Sequence, residues 1–340
     1  MLCRSYKIVA DRRFELFIED VSAGHGEALV KIKYAAICKA DIRYYLGKRN
    51  QRVLGLKYPM SLIHEAVGTV LKDCSGLFNA GDTVALIPNI VKGDCADCLC
   101  QRHDLGQNYC KNALFASSNC DGFSKDIAAL SSSNLAGLKD DKPHYVFCEL
   151  VSVAIAAARR LSLSRDAVAA VFGDGIMGYI MCLVIKTVYN CPVYIIGKHR
   201  DRIDSFVMCD KAFYANETDK IAFYNAGFEC VGGAGAQSAI NSITETVAIG
   251  GDIVLLGVSE EDVSINTRRI MEKGLCVKGA TRSSASDFKA AVKLFEDRRF
   301  VSLIENLILG ELHIKNIDDY NKAFEKECEN TKIGKHILFF

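Results

Sequence analysis

The sequence lacks an excess of either charge. Forty-two Lys and Arg face 41 Asp and Glu, a formal charge of +1. That balance excludes a broadly basic surface for nucleic acid or for an anionic membrane, and neither end carries a charged tail. The first residues, Met1 to Arg13, are charged and hold no apolar core of the signal-peptide kind. No apolar run approaches the roughly 20 residues needed to span a bilayer; the longest with helical potential, Gly175 to Ile185, follows a Gly-Asp-Gly turn and suits a buried helix. Repeats, low-complexity tracts and long linkers are also missing.

Half of the residues are hydrophobic, enough for two sizeable cores in 340 residues. The 15 cysteines are scattered and odd in number. Without a secretory signal they point to free thiols or metal ligands in a cytoplasmic protein rather than to a disulfide framework. Cys182, Cys191, Cys209 and Cys276 lie in apolar runs and are expected to be small core residues.

The rhythm of the chain changes near residue 150. Before it, short alternating runs such as Glu27–Tyr34, Ala66–Lys72 and Thr83–Ile87 are broken by Gly, Asp and Asn, as in a compact β-structure with long loops. After it, apolar strands at Ala167–Phe172, Val193–Ile196, Gly227–Val231 and Asp252–Leu256 alternate with helical patterns such as Gly178–Tyr189, Arg202–Met208 and Ala236–Ala248. That alternation predicts an α/β fold with a doubly wound parallel sheet. The tail carries a helical pattern at Asp318–Glu327 and a strand-like Lys335–Phe340 that could return to the first part.

The segment Val168-Ala-Ala-Val-Phe-Gly173-Asp174-Gly175-Ile-Met-Gly178 is a strand, a G-x-G-x-x-G turn and a helix start. Gly173 permits the tight turn, Gly175 admits the pyrophosphate, and Gly178 allows helix and strand to pack closely. The helix N-terminus offers free N–H groups to the phosphates. At the end of the next strand, where an NAD enzyme places an acid, the chain has Ile196-Gly197-Lys198-His199-Arg200. A carboxylate there would repel a 2′-phosphate, whereas Lys198 and Arg200 can pair with it. NADPH is therefore the expected cofactor; an ordinary solvated helix start is the alternative for the two cations.

Upstream, Cys38, His64-Glu65 and Glu149 supply the thiolate, imidazole and carboxylate donors that zinc favours. A second group, Cys95, Cys98, Cys100 and Cys110, places four thiols within sixteen residues. It would suit a structural zinc or, alternatively, persist as free thiols.

Ile37-Cys38-Lys39-Ala40-Asp41 followed by Ile63-His64-Glu65-Ala-Val-Gly68 resembles the zinc members of the medium-chain dehydrogenase/reductase superfamily. The resemblance implies a GroES-like catalytic domain over 1–149 and 312–340 and a Rossmann domain over 150–311. It implies a catalytic zinc at Cys38, His64 and Glu65 with Glu149 as a ligand or alternating ligand, and a homodimer. Ala40 departs from the pattern, because many relatives carry a relay hydroxyl there; the proton is expected to travel instead through zinc-bound water and Glu149, or through Tyr44 or Tyr45. The lobe spacing, C-x2-C-x-C-x9-C, also departs from the family's C-x2-C-x2-C-x7-C.

Within that superfamily, Asp41-Ile-Arg43-Tyr44-Tyr45, Pro59-Met60-Ser61-Leu62-Ile63-His64-Glu65 and Phe228-Glu-Cys-Val-Gly-Gly233 are similar to the ribulose-5-phosphate reductases, which make ribitol 5-phosphate for cell-wall polymers. This implies NADP-linked reduction of a small ketose phosphate, with Arg43, Lys48, Arg49 and Arg282 as candidate phosphate partners. Another polyol dehydrogenase, a zinc-free reductase of the same fold, and a non-catalytic NADPH-binding protein remain as alternatives at this stage.

Overall fold

The computed structural model describes residues 1–91 and 106–340. The chain divides into two compact units, Met1–Glu149 with Ser283–Phe340, and Leu150–Arg282. Residues 283–311 thus group with the first unit, although the family resemblance implied that they belong to the second. The reason is aromatic packing. Phe295 stacks on His144 at 5.6 Å between ring centroids, touches Tyr145 at 5.1 Å and Phe300 at 5.4 Å.

The first unit is built on a seven-stranded sheet. Its long central strand, Glu27–Ala36, pairs antiparallel with Glu65–Asp73 on one side and with Lys335–Phe339 on the other. The last strand therefore closes the first unit. Register places Ala36 opposite both Glu65 and Ile337, so residues just beyond these positions converge. Gly68 is required by that pairing, because a Cβ there would fall on the carbonyl oxygen of Lys31. An aromatic core of Tyr6, Phe14, Tyr45, Tyr320 and Phe324 anchors the helix Ile317–Glu329 to the hairpin Leu2–Asp20.

The second unit is a six-stranded parallel sheet. Its spatial order is Lys211–Tyr214, Val193–Gly197, Ala169–Phe172, Ala226–Glu229, Asp252–Leu255, Cys276–Gly279. In chain order that is 3-2-1-4-5-6, the order of Rossmann dinucleotide-binding domains. The helix after the glycine turn spans Ile176–Val184 and continues as a wider turn over Ile185–Tyr189. The helix expected at Arg202–Met208 is instead a short one at Arg200–Ile203. Beyond it, the chain folds Phe206 and Met208 inward and leaves Val207 exposed, a spacing of two rather than of a helical turn. Cys182 and Cys191 are buried, as expected of small core residues, but Cys276 lies exposed on the edge strand. No helix among the described residues is long and apolar enough to cross a membrane.

Candidate active site

Cys38 lies between the strand Glu27–Ala36 and the helix Lys39–Tyr45, and caps that helix. Its backbone N–H donates to Asp41 Oδ2 at 2.9 Å. The other Asp41 oxygen accepts from the N–H of Ile63 at 3.2 Å. Asp41, fully buried, thus ties the Cys38 turn to the residue preceding His64. Ile63 has φ of +70°, a left-handed conformation that costs a β-branched residue about 1–3 kcal/mol. Its carbonyl is held by the N–H of Phe123 at 2.8 Å. This enforced turn delivers His64 and Glu65 to Cys38, and donor atoms of the three residues lie within 4.8 Å of one another.

The surrounding groups set the chemistry. His64 Nδ1 is 2.7 Å from Ser117 Oγ and 3.6 Å from Asp41 Oδ1. Burial opposes a charge on His64, but Asp41 and Cys38 draw its proton affinity well above the ordinary imidazole range. Glu65 is fully buried, and its Oε1 accepts from Lys335 Nζ. Burial works against a charged Lys335, yet Glu65 and Cys38 hold it strongly protonated. The second oxygen, Glu65 Oε2, is buried without a hydrogen-bond partner. Glu149 stands in the first turn of the helix Cys148–Ala158 and is also buried. Burial, opposed by His64 and reinforced by Glu65, pushes its pKa up to about 7; Glu149 lies outside the 4.8 Å group.

A thiol, an imidazole and carboxylates gathered at one buried point, with one carboxylate oxygen unpaired, fit a divalent cation. Zinc suits the mixed sulfur, nitrogen and oxygen set. Ala40 supplies no hydroxyl at its turn. Tyr45 is packed against Phe14 and Phe324 in the core, and the Tyr44 hydroxyl takes a 2.6 Å hydrogen bond from Lys57. Arg49 lies over the Tyr44 ring at 4.9 Å, Arg43 is half-buried in the same helix, Lys48 is exposed, and Arg282 adopts φ of +56° in the other unit. Cys95, Cys98 and Cys100 fall outside the described residues; Cys110 is buried against Ala113 and Val91.

In the second unit, a cavity of about 270 Å³ opens at the C-terminal ends of the strands Ala169–Phe172 and Val193–Gly197. Ligands of doubly wound sheets bind at that edge. The three glycines of the turn have different surroundings. Gly173 has φ of +130° and passes the Cys230 backbone so closely that a Cβ would meet it at 2.9 Å. A Cβ on Gly178 would fall on the Gly173 carbonyl, while Gly175 faces open space. Lys198, His199 and Arg202 line the cavity, but Arg200 does not; it begins the short helix and is exposed. Of the cations in this stretch, it is Arg202, two residues after the expected one, that lines the cavity beside Lys198. Asp174, between the first two glycines, accepts from the N–H groups of Lys198 and His199 at 2.6 and 2.7 Å. Burial opposes its charge, but these amides and the His199 ring keep its pKa below the usual carboxylate range. Neither Ser117, Lys335, Asp174 nor Arg202 was singled out by sequence. Only Asp174 and Arg202 sat close enough to a motif to be noticed.

Comparison with known proteins agrees with this geometry. The model of the alcohol dehydrogenase GroES-like domain matches residues 24–140, and that of zinc-binding dehydrogenases matches 213–297. Ribulose-5-phosphate reductase 1 of Staphylococcus aureus is 36% identical, with 99% of each chain covered. The chain belongs to the zinc-containing medium-chain dehydrogenases. The dehydrogenase is also 34% identical to the ribulose-5-phosphate reductase of Bacillus spizizenii, over 99% of each chain. It superposes on the crystal structure of S. aureus TarJ in complex with NADPH with a TM-score of 0.86 and 34% identity, covering 100% of this chain and 99% of that one. The likeness extends along the whole chain, so it includes both units of the dehydrogenase.

Proposed function

We propose that the dehydrogenase reduces D-ribulose 5-phosphate to D-ribitol 5-phosphate with NADPH, using zinc held at Cys38 and His64 with carboxylate from Glu65 or Glu149. The observation that carries the reading is the Cys38–His64–Glu65 group, half-buried at Cys38 and buried at the other two, whose donor atoms lie within 4.8 Å of one another, in a chain 36% identical to a ribulose-5-phosphate reductase. A zinc-free reductase would have no use for this donor set.

When bound, zinc supplies Lewis acidity toward the ketone oxygen and NADPH supplies the hydride. The chain does the rest. Asp41 and Ser117 orient the His64 ring through Nδ1, leaving Nε2 for the metal. Lys335 holds one Glu65 oxygen and leaves the other available. Gly175 leaves room for the pyrophosphate at the start of the helix Ile176–Val184, and Lys198 and Arg202 offer positive charge to the 2′-phosphate.

A homodimer is part of the proposal. The strand Cys276–Gly279 is the open edge of its sheet, with Cys276 and Val277 exposed and Met271 bare on the preceding helix. Such edges are normally paired or covered. Sedimentation analysis should return twice the 37.3 kDa chain mass. A cytoplasmic setting goes with that reading, because buried free thiols such as Cys182 and Cys191 are typical of a reducing compartment.

The function is tested by incubating the pure protein with NADPH and D-ribulose 5-phosphate and identifying the product by NMR. Stoichiometric ribitol 5-phosphate is expected. Turnover of unphosphorylated ketoses alone would reassign the substrate.

A further inference from the structure

Among the described residues Asp174 is the sole carboxylate lining the dinucleotide cavity, and its position poses a problem. It lies beside the imidazole of His199 and beside Lys198 and Arg202, the cations that line the cavity, where a negative charge should weaken phosphate binding.

The geometry resolves this. Oδ2 of Asp174 accepts three hydrogen bonds, from the N–H of Lys198 at 2.6 Å, the N–H of His199 at 2.7 Å and the His199 ring Nδ1 at 3.0 Å. Oδ1 lies 3.8 Å from Arg202 Nη1. Asp174 is only 8% exposed, so its charge is directed into the turn. The chain also makes room for it at Gly197, where a Cβ would meet Asp174 Cβ at 2.6 Å. Lys198 pairs with no carboxylate among the described residues, and its side chain is exposed at the cavity.

We propose that Asp174 is the positioning residue for 2′-phosphate recognition: it pins the backbone of residues 198 and 199 and draws in His199 and Arg202, so that two cations and an imidazole form a fixed rim on the cavity. The inference rests on the reading of this protein as NADPH-linked. It carries a counter-intuitive sign. Removing a negative charge from a phosphate site should weaken phosphate binding, because the loss of order in the rim outweighs the gain in net positive charge.

The test is calorimetric titration of the whole protein with NADPH and with NADH, which differ only in the 2′-phosphate. Wild type should prefer NADPH. In Asp174→Ala that preference should fall about tenfold, the scale of one charged hydrogen bond, while affinity for NADH stays within about twofold. Asp174→Asn keeps one oxygen able to accept from the two amides but loses the charge beside Arg202, so it should lose a smaller part of the preference. Gly197→Ala, which keeps the charge but displaces the carboxylate, should lose preference in the same way; it decides the matter if the Asp174 variants fail to fold. Unchanged or increased preference for NADPH in the variants would overturn the positioning role while leaving NADPH as the cofactor. A wild type without preference would overturn the NADPH reading and this inference together.

Discussion

The Nδ1 atom of His64 lies 2.7 Å from Ser117 Oγ, in a buried pocket shared with Asp41. Ser117 has φ of +62°, so the backbone is held in a left-handed conformation at the place where its hydroxyl meets the ring. His64 itself follows Ile63, also left-handed. Two strained residues on either side of one imidazole indicate that its orientation is what the surrounding structure enforces.

Ser117→Ala should therefore weaken zinc binding by about 10–100-fold, the usual effect of losing a partner of a metal-ligating histidine. Competition with a chromogenic chelator measures this without reference to turnover. Unchanged zinc affinity would confine Ser117 to packing.

Lys335→Met should be costly in the metal-free protein. It leaves the Glu65 carboxylate buried without its counter-charge, which typically destabilises by about 3–5 kcal/mol. Urea unfolding of chelator-treated protein should show the loss, and Glu65→Gln in the same chain should recover part of it. Equal midpoints for wild type and Lys335→Met would refute the pairing.

The last two glycines of the turn should separate stability from binding. Gly178→Ala places a Cβ on the Gly173 carbonyl and should lower the melting temperature sharply. Gly175→Ala adds a methyl to open space. It should leave melting of the free protein nearly unchanged and weaken NADPH binding. A stable Gly178→Ala, or full NADPH affinity in Gly175→Ala, would show that the turn is not used in this way.

At the cofactor rim, Lys198→Ala and Arg202→Ala should each reduce the preference for NADPH over NADH about tenfold, as expected for charge-assisted contacts to phosphate. Arg200→Ala should not, because Arg200 does not line the cavity. Steady-state KM values for both cofactors distinguish these outcomes.

What could be read from sequence follows the range of the interactions. The doubly wound parallel sheet and its glycine turn were legible because each strand–turn–helix unit is local and its glycines are spaced by the turn itself. Cys38, His64 and Glu65 were legible as a family pattern, though the register that joins them, with Ala36 opposite Glu65, carries no sequence mark. Their supports were not legible. Ser117 is 53 residues from His64, and Lys335 is 270 residues from Glu65; no local periodicity connects them. Arg200 was legible as a cation just past the counted end of the strand; that Arg202 lines the cavity and Arg200 does not depends on side-chain direction in a four-residue helix, which counting does not give. The segment 283–311 follows the strand–helix rhythm yet joins the first unit through Phe295 and Phe300, a packing choice that helical patterning alone does not specify.

The account depends most directly on the metal. The decisive measurement is the rate of NADPH oxidation with D-ribulose 5-phosphate by protein stripped with a chelator, verified as zinc-free, and then titrated with zinc. The rate should fall to background on stripping and return in proportion to zinc bound at the Cys38–His64 site, with Cys38→Ser and His64→Ala inactive at every zinc concentration and still able to bind NADPH. Full activity in the verified zinc-free protein would contradict the account and leave a zinc-free reductase in its place.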